Sequence, residues 1–143
     1  MTPEFTVREA DWERDRRALR DVRTRVFVEE QDVPPDLEWD GLDAQCVHML
    51  ATAGGIPVGT GRLAPDGHIG RMAVVADWRG CGVGQALLEA LMAAARERGH
   101  SHCRLNAQIS AMGFYKRFGF EPHGVDFMEA GIVHRAMTHE FKR

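Results

Sequence analysis

The chain has 143 residues, 44% hydrophobic and 27% charged, with a formal net charge of −3 and three cysteines. That length fits one globular domain, residues 1–143, able to bury about 68 to 70% of the surface its unfolded form exposes. The acid excess excludes the basic footprint of a nucleic-acid binder, and no apolar run nears the roughly 20 residues that span a bilayer.

The start, Met-Thr-Pro-Glu-Phe, lacks the charged and apolar regions of a signal peptide, so a soluble cytoplasmic protein with no membrane partner is expected. Cys46, Cys81 and Cys103 cannot all pair and show no C-x-x-C spacing, which suits free thiols in a reducing compartment.

Phe5-Thr-Val7 alternates and predicts a first strand. Asp11 is then the N-cap of an amphipathic helix whose apolar residues Trp12, Leu19, Val22 and Val26 recur at helical spacing. The other face holds Arg14, Arg16, Arg17, Arg20, Arg23 and Arg25, read as a solvated surface partly balanced by Asp15 and Asp21. Next the sign reverses: Glu29, Glu30, Asp32, Asp36, Glu38, Asp40 and Asp43 occur with no Lys or Arg among them, and Pro34-Pro35 stops any helix. Residues 46–51 and 56–63, joined through Gly54-Gly55, predict an antiparallel hairpin, and Pro65-Asp-Gly67 turns the chain into a strand over residues 69–75. Gly70 inside that strand signals a bulge or a close backbone approach.

A glycine-dense turn, Arg79-Gly-Cys-Gly-Val-Gly84, leads into a helix over residues 85–98, with Leu87, Leu88, Leu91 and Ala95 on one apolar face and Gly99 as its stop. Gly80, Gly82 and Gly84 remove Cβ atoms before the helix, so backbone N–H groups can close around an anion that the helix dipole also favours. A polyphosphate suits such a turn. A Walker loop needs Lys and then Ser or Thr where this chain has Gln85 and Ala86, and a dinucleotide fingerprint needs a glycine at Leu87. Cys81 is read as filler between two glycines.

Residues 103–108 read as a strand and residues 110–118 as a short helix closed by Gly119, with Ala111, Phe114 and Phe118 inward. Pro122-His-Gly124 predicts a turn, and residues 132–141 a final strand. His100-x-His102-Cys103 has no second ligand group at zinc-finger spacing, so no metal is expected.

Arg79-x-x-Gly82-x-Gly84 resembles the pyrophosphate loop of the GNAT superfamily, the acyl-CoA-dependent N-acetyltransferases, and Phe114-Tyr-Lys-Arg-Phe-Gly-Phe120 resembles its second signature. Val26-Phe-Val-Glu-Glu-Gln31, Leu105-Asn-Ala-Gln108 and Gly131-Ile-Val-His134 are similar to the small bacterial ElaA-like branch, so the resemblance spans nearly the whole chain. It implies an α/β fold, a single GNAT-like domain with a mixed, mostly antiparallel central sheet of about six to seven strands flanked by helices.

The resemblance also implies acetyl-CoA as co-substrate. Its pantetheine arm would follow Met72, Ala73 and Val74, where the fourth strand splays from the fifth. Its pyrophosphate would meet Arg79, Gly80, Cys81, Gly82, Val83, Gly84 and Gln85, with Asn106, Tyr115 and Lys116 completing the contacts. Tyr115 is the implied acid for the departing thiolate, and a backbone N–H near Val74 would meet the oxyanion. The base is open among His134, His68, Glu129 and water, with His134, in the Gly-Ile-x-His phrase, placed ahead of His68.

In the superfamily the segment after the first helix walls the acceptor pocket, so Glu29, Glu30, Trp39 and Asp40 are candidate contacts for a small cationic acceptor. A solvated loop accounts for the same residues equally well. The expected reaction is acetylation of a primary amine by direct attack. Its rivals are a catalytically silent acyl-CoA sensor, which does not need Tyr115, and an ATP binder, for which the Lys-Ser/Thr pair is missing. A homodimer through strand edges is left open.

Overall fold

The computed structural model of the chain describes residues 4–35 and 39–142, so Asp36 and Glu38 of the acidic run lie outside the described residues, as do residues 1–3. The first strand, β1 (Thr6–Ala10), leads into helix α1 (Trp12–Arg23), capped by the Asp11 carboxylate, which accepts from the N–H groups of Glu13 and Arg14. Past Arg23 the helix widens into π-helical turns (Thr24–Glu30), ended by a bond from the Gln31 N–H to the Val26 carbonyl. Strands β2 (Val47–Ala53), β3 (Ile56–Leu63) and β4 (Ile69–Val74) follow, then helix α2 (Val83–Glu97). Strand β5 (His102–Gln108), the short helix α3 (Met112–Lys116) and the hairpin β6 (Glu121–Glu129) and β7 (Ile132–Glu140) complete the chain.

Among the described residues, seven strands form two hydrogen-bonded sheets, β1-β2-β3-β4 and β5-β7-β6, antiparallel throughout. One isolated parallel bridge, His68 with Arg104, joins them. Strands β4 and β5 are thus facing edges that part beyond that bridge, and the α/β fold expected from the sequence is present.

Helix α2 seats its predicted stripe in the core: Leu87, Leu88, Leu91 and Ala95 are all fully buried. Two glycines of β3 allow the close approach. A Cβ at Gly61 would stand 2.6 Å from Leu91 Cδ1, and one at Gly59 would stand 2.8 Å from Val83 Cγ1. Helix α1 covers the same sheet, and residues 58–63 are buried without a break.

Several local expectations change in the fold. The helix predicted over residues 85–98 begins two residues earlier, taking Gly84 into its first turn, and ends at Glu97 with Gly99 at φ 85°. The hairpin strand predicted over residues 46–51 is Val47–Ala53, joined to β3 by Gly54 and Gly55 at φ 56° and 80°. Pro122-His-Gly124 is not a chain-reversing turn but part of β6, where the register shifts between His123 and Phe127 and Gly124 has φ 74°. An edge strand accepts Pro and a bulge without losing paired donors on its inner side.

The bulge expected at Gly70 is present, but its left-handed residue is the next one, Arg71, at φ 51°. Two residues, Arg71 and Met72, oppose the single Gly61, and the Thr60 hydroxyl donates to the displaced Arg71 carbonyl at 3.4 Å. Arg23 also departs from the solvated arginine face, being 1% exposed. It lies four residues after Leu19 and three before Val26, on the buried stripe of the helix.

Candidate active site

The gap between the two sheets holds a cavity of about 460 Å³. The β3–β4 wall contributes Arg62, His68, Arg71 and Met72, and the β5–β7–β6 wall contributes Asn106, Gln108, Glu129 and His134. Phe27, Gln31 and Val33, from the π-helical turns and the segment after them, close one side, and Tyr115 of α3 another. Gln108 Nε2 donates to Gln31 Oε1 at 3.0 Å, tying that segment to β5.

Tyr115 and His134, far apart in sequence, reach this one space. The Tyr115 ring is held edge-on by Phe114 and Phe120, and its hydroxyl donates to Met72 Sδ at 3.8 Å. Burial pushes its pKa up to about 12, so the phenol keeps its proton throughout the neutral range. His134 is buried, with Nδ1 2.7 Å from the Ile132 carbonyl oxygen. A carbonyl can only accept, so Nδ1 carries the proton and Nε2 is left as the basic nitrogen. Nε2 lies 3.5 Å from Glu129 Oε2, and Asn106 Nδ2 donates to Glu129 Oε1 at 3.3 Å. Asn106 therefore orients a carboxylate that faces the imidazole.

His68 lines the cavity too, but burial first and the Arg104 charge second push its pKa down. Its imidazole is a weaker proton acceptor than an exposed one.

The glycine turn leads into α2, with Gly80 and Gly82 at φ 78° and 90°. The N-terminus of α2 has no side-chain cap and no acidic residue in its first turn. The Ala86 N–H closes the first helical bond, onto the Gly82 carbonyl, so the N–H groups of Val83, Gly84 and Gln85 precede the ladder. These donors, with the helix dipole, fit a pyrophosphate. Val83 brings only its backbone, because its side chain is core. A Cβ at Gly84 would make ordinary contacts, 3.7 Å from Phe114 Cζ and 3.8 Å from Val74 Cγ2, so packing alone does not demand glycine there.

Arg79 is engaged elsewhere than expected: Nε donates to the Val74 carbonyl at 2.9 Å, and NH1 and NH2 donate to the two carboxylate oxygens of Glu30, both at 2.6 Å. The Cys81 thiol points back to the Arg79 carbonyl, Gln85 donates to Glu89 on its own helix, and Lys116 is exposed. Met72 lines the cavity, while Ala73 and Val74 pair with Thr60 and Gly59 of β3.

Among the described residues, the acidic segment does not line the cavity as a row of available carboxylates. Glu30 holds Arg79, Glu29 is exposed, and Asp40 takes Arg62 on both oxygens and Arg71 at 3.2 Å. The Trp39 ring lies 4.4 Å from the Arg20 guanidinium and 4.8 Å from that of Arg23. Buried Asp43 accepts from Arg23 at 2.7 Å and Arg62 at 2.9 Å. Burial alone would raise its pKa, but the two guanidiniums outweigh that and hold it below the usual carboxylate range. Glu30, Asp40 and Asp43 are thus engaged in ion pairs with the arginines of α1, β3, β4 and the glycine turn.

Sequence reasoning missed Arg62, Arg71, Phe27 and Gln31 as cavity residues. Arg62 carried one readable signal, a lone charge in the small and apolar run of residues 58–63. Arg71 carried none, since its direction depends on the bulge.

Known proteins share this architecture. The sequence profile described as Acetyltransferase (GNAT) domain matches residues 19–141. YjcF of Bacillus subtilis, named an uncharacterized N-acetyltransferase, is 40% identical over 120 residues, 81% of this chain and 86% of its own. The crystal structure of an acyl-CoA N-acyltransferase from Pseudomonas aeruginosa superposes with a TM-score of 0.83 at 31% identity, covering 95% of this chain and 98% of that one. Escherichia coli ElaA superposes with a TM-score of 0.85 at 27% identity, covering 96% and 100%. The matched profile spans both the glycine turn and the Tyr115 helix, and the chain belongs to the GNAT acetyltransferase family, as an acyltransferase.

Proposed function

We propose that residues 1–143 act as a single domain that transfers an acetyl group from acetyl-CoA to a primary amine of a small acceptor seated in the cavity between β4 and β5. The observation that carries this reading is that Tyr115 and His134 line one cavity, while Phe114, the neighbour of Tyr115, lies 3.7 Å from where a Cβ at Gly84 would stand in the uncapped first turn of α2. The cavity volume, about 460 Å³, is in the range of small-molecule sites.

In this reading the first-turn N–H groups of α2 hold the pyrophosphate, and the cavity edge of β4 guides the pantetheine arm. His134 Nε2 takes the proton of the attacking amine, and Glu129 faces the resulting imidazolium. As the carbon–sulfur bond of the thioester breaks, Tyr115 gives its proton to the departing thiolate and is restored from solvent. Arg79 acts through Glu30 and the Val74 carbonyl, holding the turn against the π-helical segment. Three cysteines without disulfide partners suit a reducing compartment, the cytoplasm.

Thermal-shift titration with acetyl-CoA, CoA and ATP, joined to a thiol-release assay over a library of amines, tests the reading. Stabilisation by acetyl-CoA and CoA with amine-dependent thiol release is expected. Stabilisation without release from any amine would leave an acyl-CoA sensor, and stabilisation by ATP alone would overturn the CoA site.

A further inference from the structure

Two glutamines 77 residues apart in the chain, Gln31 and Gln108, meet at the wall of the cavity. Gln108 is the last residue of β5 and stands directly opposite His134 of β7, while Phe127 of β6 flanks His134 on its other side with the two rings 6.1 Å apart. Residues opposite each other on antiparallel strands share a face, with Cβ atoms about 4.5–5.5 Å apart. The Gln108 amide is therefore the neighbour of the imidazole that receives the proton of the amine.

The bond between the glutamines uses only part of each amide. Gln108 Nε2 donates to Gln31 Oε1 at 3.0 Å, and among the described residues Gln108 Oε1 accepts from no donor. Gln108 is not used in local structure either: it precedes the turn at Ile109–Ala111 without capping it through its side chain. Both residues are partly buried, so that oxygen is met by water or by a ligand in the cavity. With its nitrogen drawn to Gln31, the amide has its oxygen in a fixed direction.

A primary amine attacking a thioester must turn its lone pair to the carbonyl carbon and its two N–H bonds elsewhere. His134 Nε2 takes one proton, and the second N–H becomes a stronger donor as the nitrogen gains positive charge in the transition state. Glu129 already accepts from Asn106 and faces the imidazole. An uncharged amide oxygen orders the nitrogen without favouring the ammonium form, which has no lone pair for attack.

Resting on the transferase reading, we propose that Gln108 Oε1 accepts the second N–H of the attacking primary amine, and that Gln31 is a positioning residue that holds the Gln108 amide in the required orientation. Gln108 neither gives nor takes a proton. The carbon–nitrogen bond forms, the proton of the amine passes to His134 Nε2, the carbon–sulfur bond breaks, and Tyr115 protonates the thiolate. Selectivity for primary amines follows, because a secondary amine has one N–H, which goes to His134, and none for Gln108.

The test is thiol release from acetyl-CoA with a library of primary amines that includes ethanolamine, putrescine, tyramine and benzylamine, the fastest being then compared with its N-methyl derivative. Gln108→Met, close in length but without amide atoms, should lower kcat/KM for the primary amine by roughly ten- to a hundredfold. The N-methyl derivative should lose less than about threefold, and the KM for acetyl-CoA should stay within the same limit. Gln31→Leu should reproduce this pattern, and Gln31→Glu, which keeps an oxygen for Gln108 Nε2, should recover part of the rate. Gln108→Leu removes the same atoms should the methionine variant fold poorly.

Equal losses with the primary and the N-methyl amine would make the glutamines structural and overturn the proposal, as would a wild-type rate in Gln108→Met. Both outcomes leave the transferase reading standing. Release from no amine of the library by the wild-type protein, with acetyl-CoA still raising the melting temperature, would instead sink the transferase reading, and the proposal with it.

Discussion

Arg79 and Glu30 form a two-pronged ion pair, NH1 to Oε2 and NH2 to Oε1, that ties the glycine turn to the last π-helical turn before the acidic segment. Both side chains are 43% exposed, so the pair contributes at most about 1 kcal/mol to stability. Its consequence is positional. Arg79→Ala and Glu30→Gln are each expected to weaken acetyl-CoA binding by a similar factor, with the double variant no worse than either, because both act through one link. Isothermal titration of the cycle decides this. A loss confined to Arg79→Ala would show that the guanidinium leaves Glu30 to bind phosphate directly.

Tyr115→Phe removes one oxygen and keeps the packing against Phe114 and Phe120. Acetyl-CoA affinity should hold within a few-fold while kcat falls by roughly 10² to 10⁴, the loss expected for a positioned general acid. The phenol must be protonated to act, and burial moves its pKa up to about 12, so ionisation of Tyr115 should cause no loss of activity as pH rises through 10. The raised value also links to stability. That contribution is fully present below the unfolded phenol value, near 10, and is lost as pH rises through about 12. A wild-type rate in Tyr115→Phe, with chemistry limiting, would reduce the residue to packing.

His134 and Glu129 separate by degree. His134→Gln should lower kcat by roughly 10² to 10⁴, whereas Glu129→Gln, which leaves the imidazole and removes only the facing charge, should cost about tenfold. Single-turnover rates with the identified acceptor measure both. A Glu129→Gln loss equal to that of His134→Gln would make the carboxylate the base and the imidazole its relay.

Asp43→Asn strips the buried arginines Arg23 and Arg62 of a shared charge partner. Breaking such a cluster costs roughly 3 to 5 kcal/mol, a fall in Tm of more than about 10 °C. The folded pKa values of Asp40 and Asp43 lie below the usual range, so their contribution is complete above the unfolded value near 4 and is lost as pH falls through the folded values. Wild-type protein should therefore keep its Tm at pH 5 and lose it below about pH 4. Calorimetry across that window, showing equal acid lability in wild type and Asp43→Asn, would remove the cluster from the account.

Much of the architecture is legible in the residues because it is periodic and local. The Leu87, Leu88, Leu91 and Ala95 stripe, the Asp11 cap, the Gly54-Gly55 hairpin and the Gly99 stop each follow from spacing and from which residues tolerate a given φ. The same locality explains why the glycine turn before α2 reads as an anion site from sequence: its donors are backbone groups whose direction is set within one helical turn.

Partner choice is not local, and there the tertiary structure decides. Whether Arg79 meets a phosphate or Glu30, whether Asp40 attracts an acceptor or braces Arg62, and whether Arg23 is solvated or buried depend on which charges the fold brings within about 3 Å. A carboxylate in a sequence is only a charge, and in the fold desolvation makes it seek the nearest guanidinium. The aim of Arg71 and the meeting of Tyr115 with His134 belong to the same class. The first follows from a one-residue bulge that turns a side chain to another face, and the second from two strand edges that part after a single bridge.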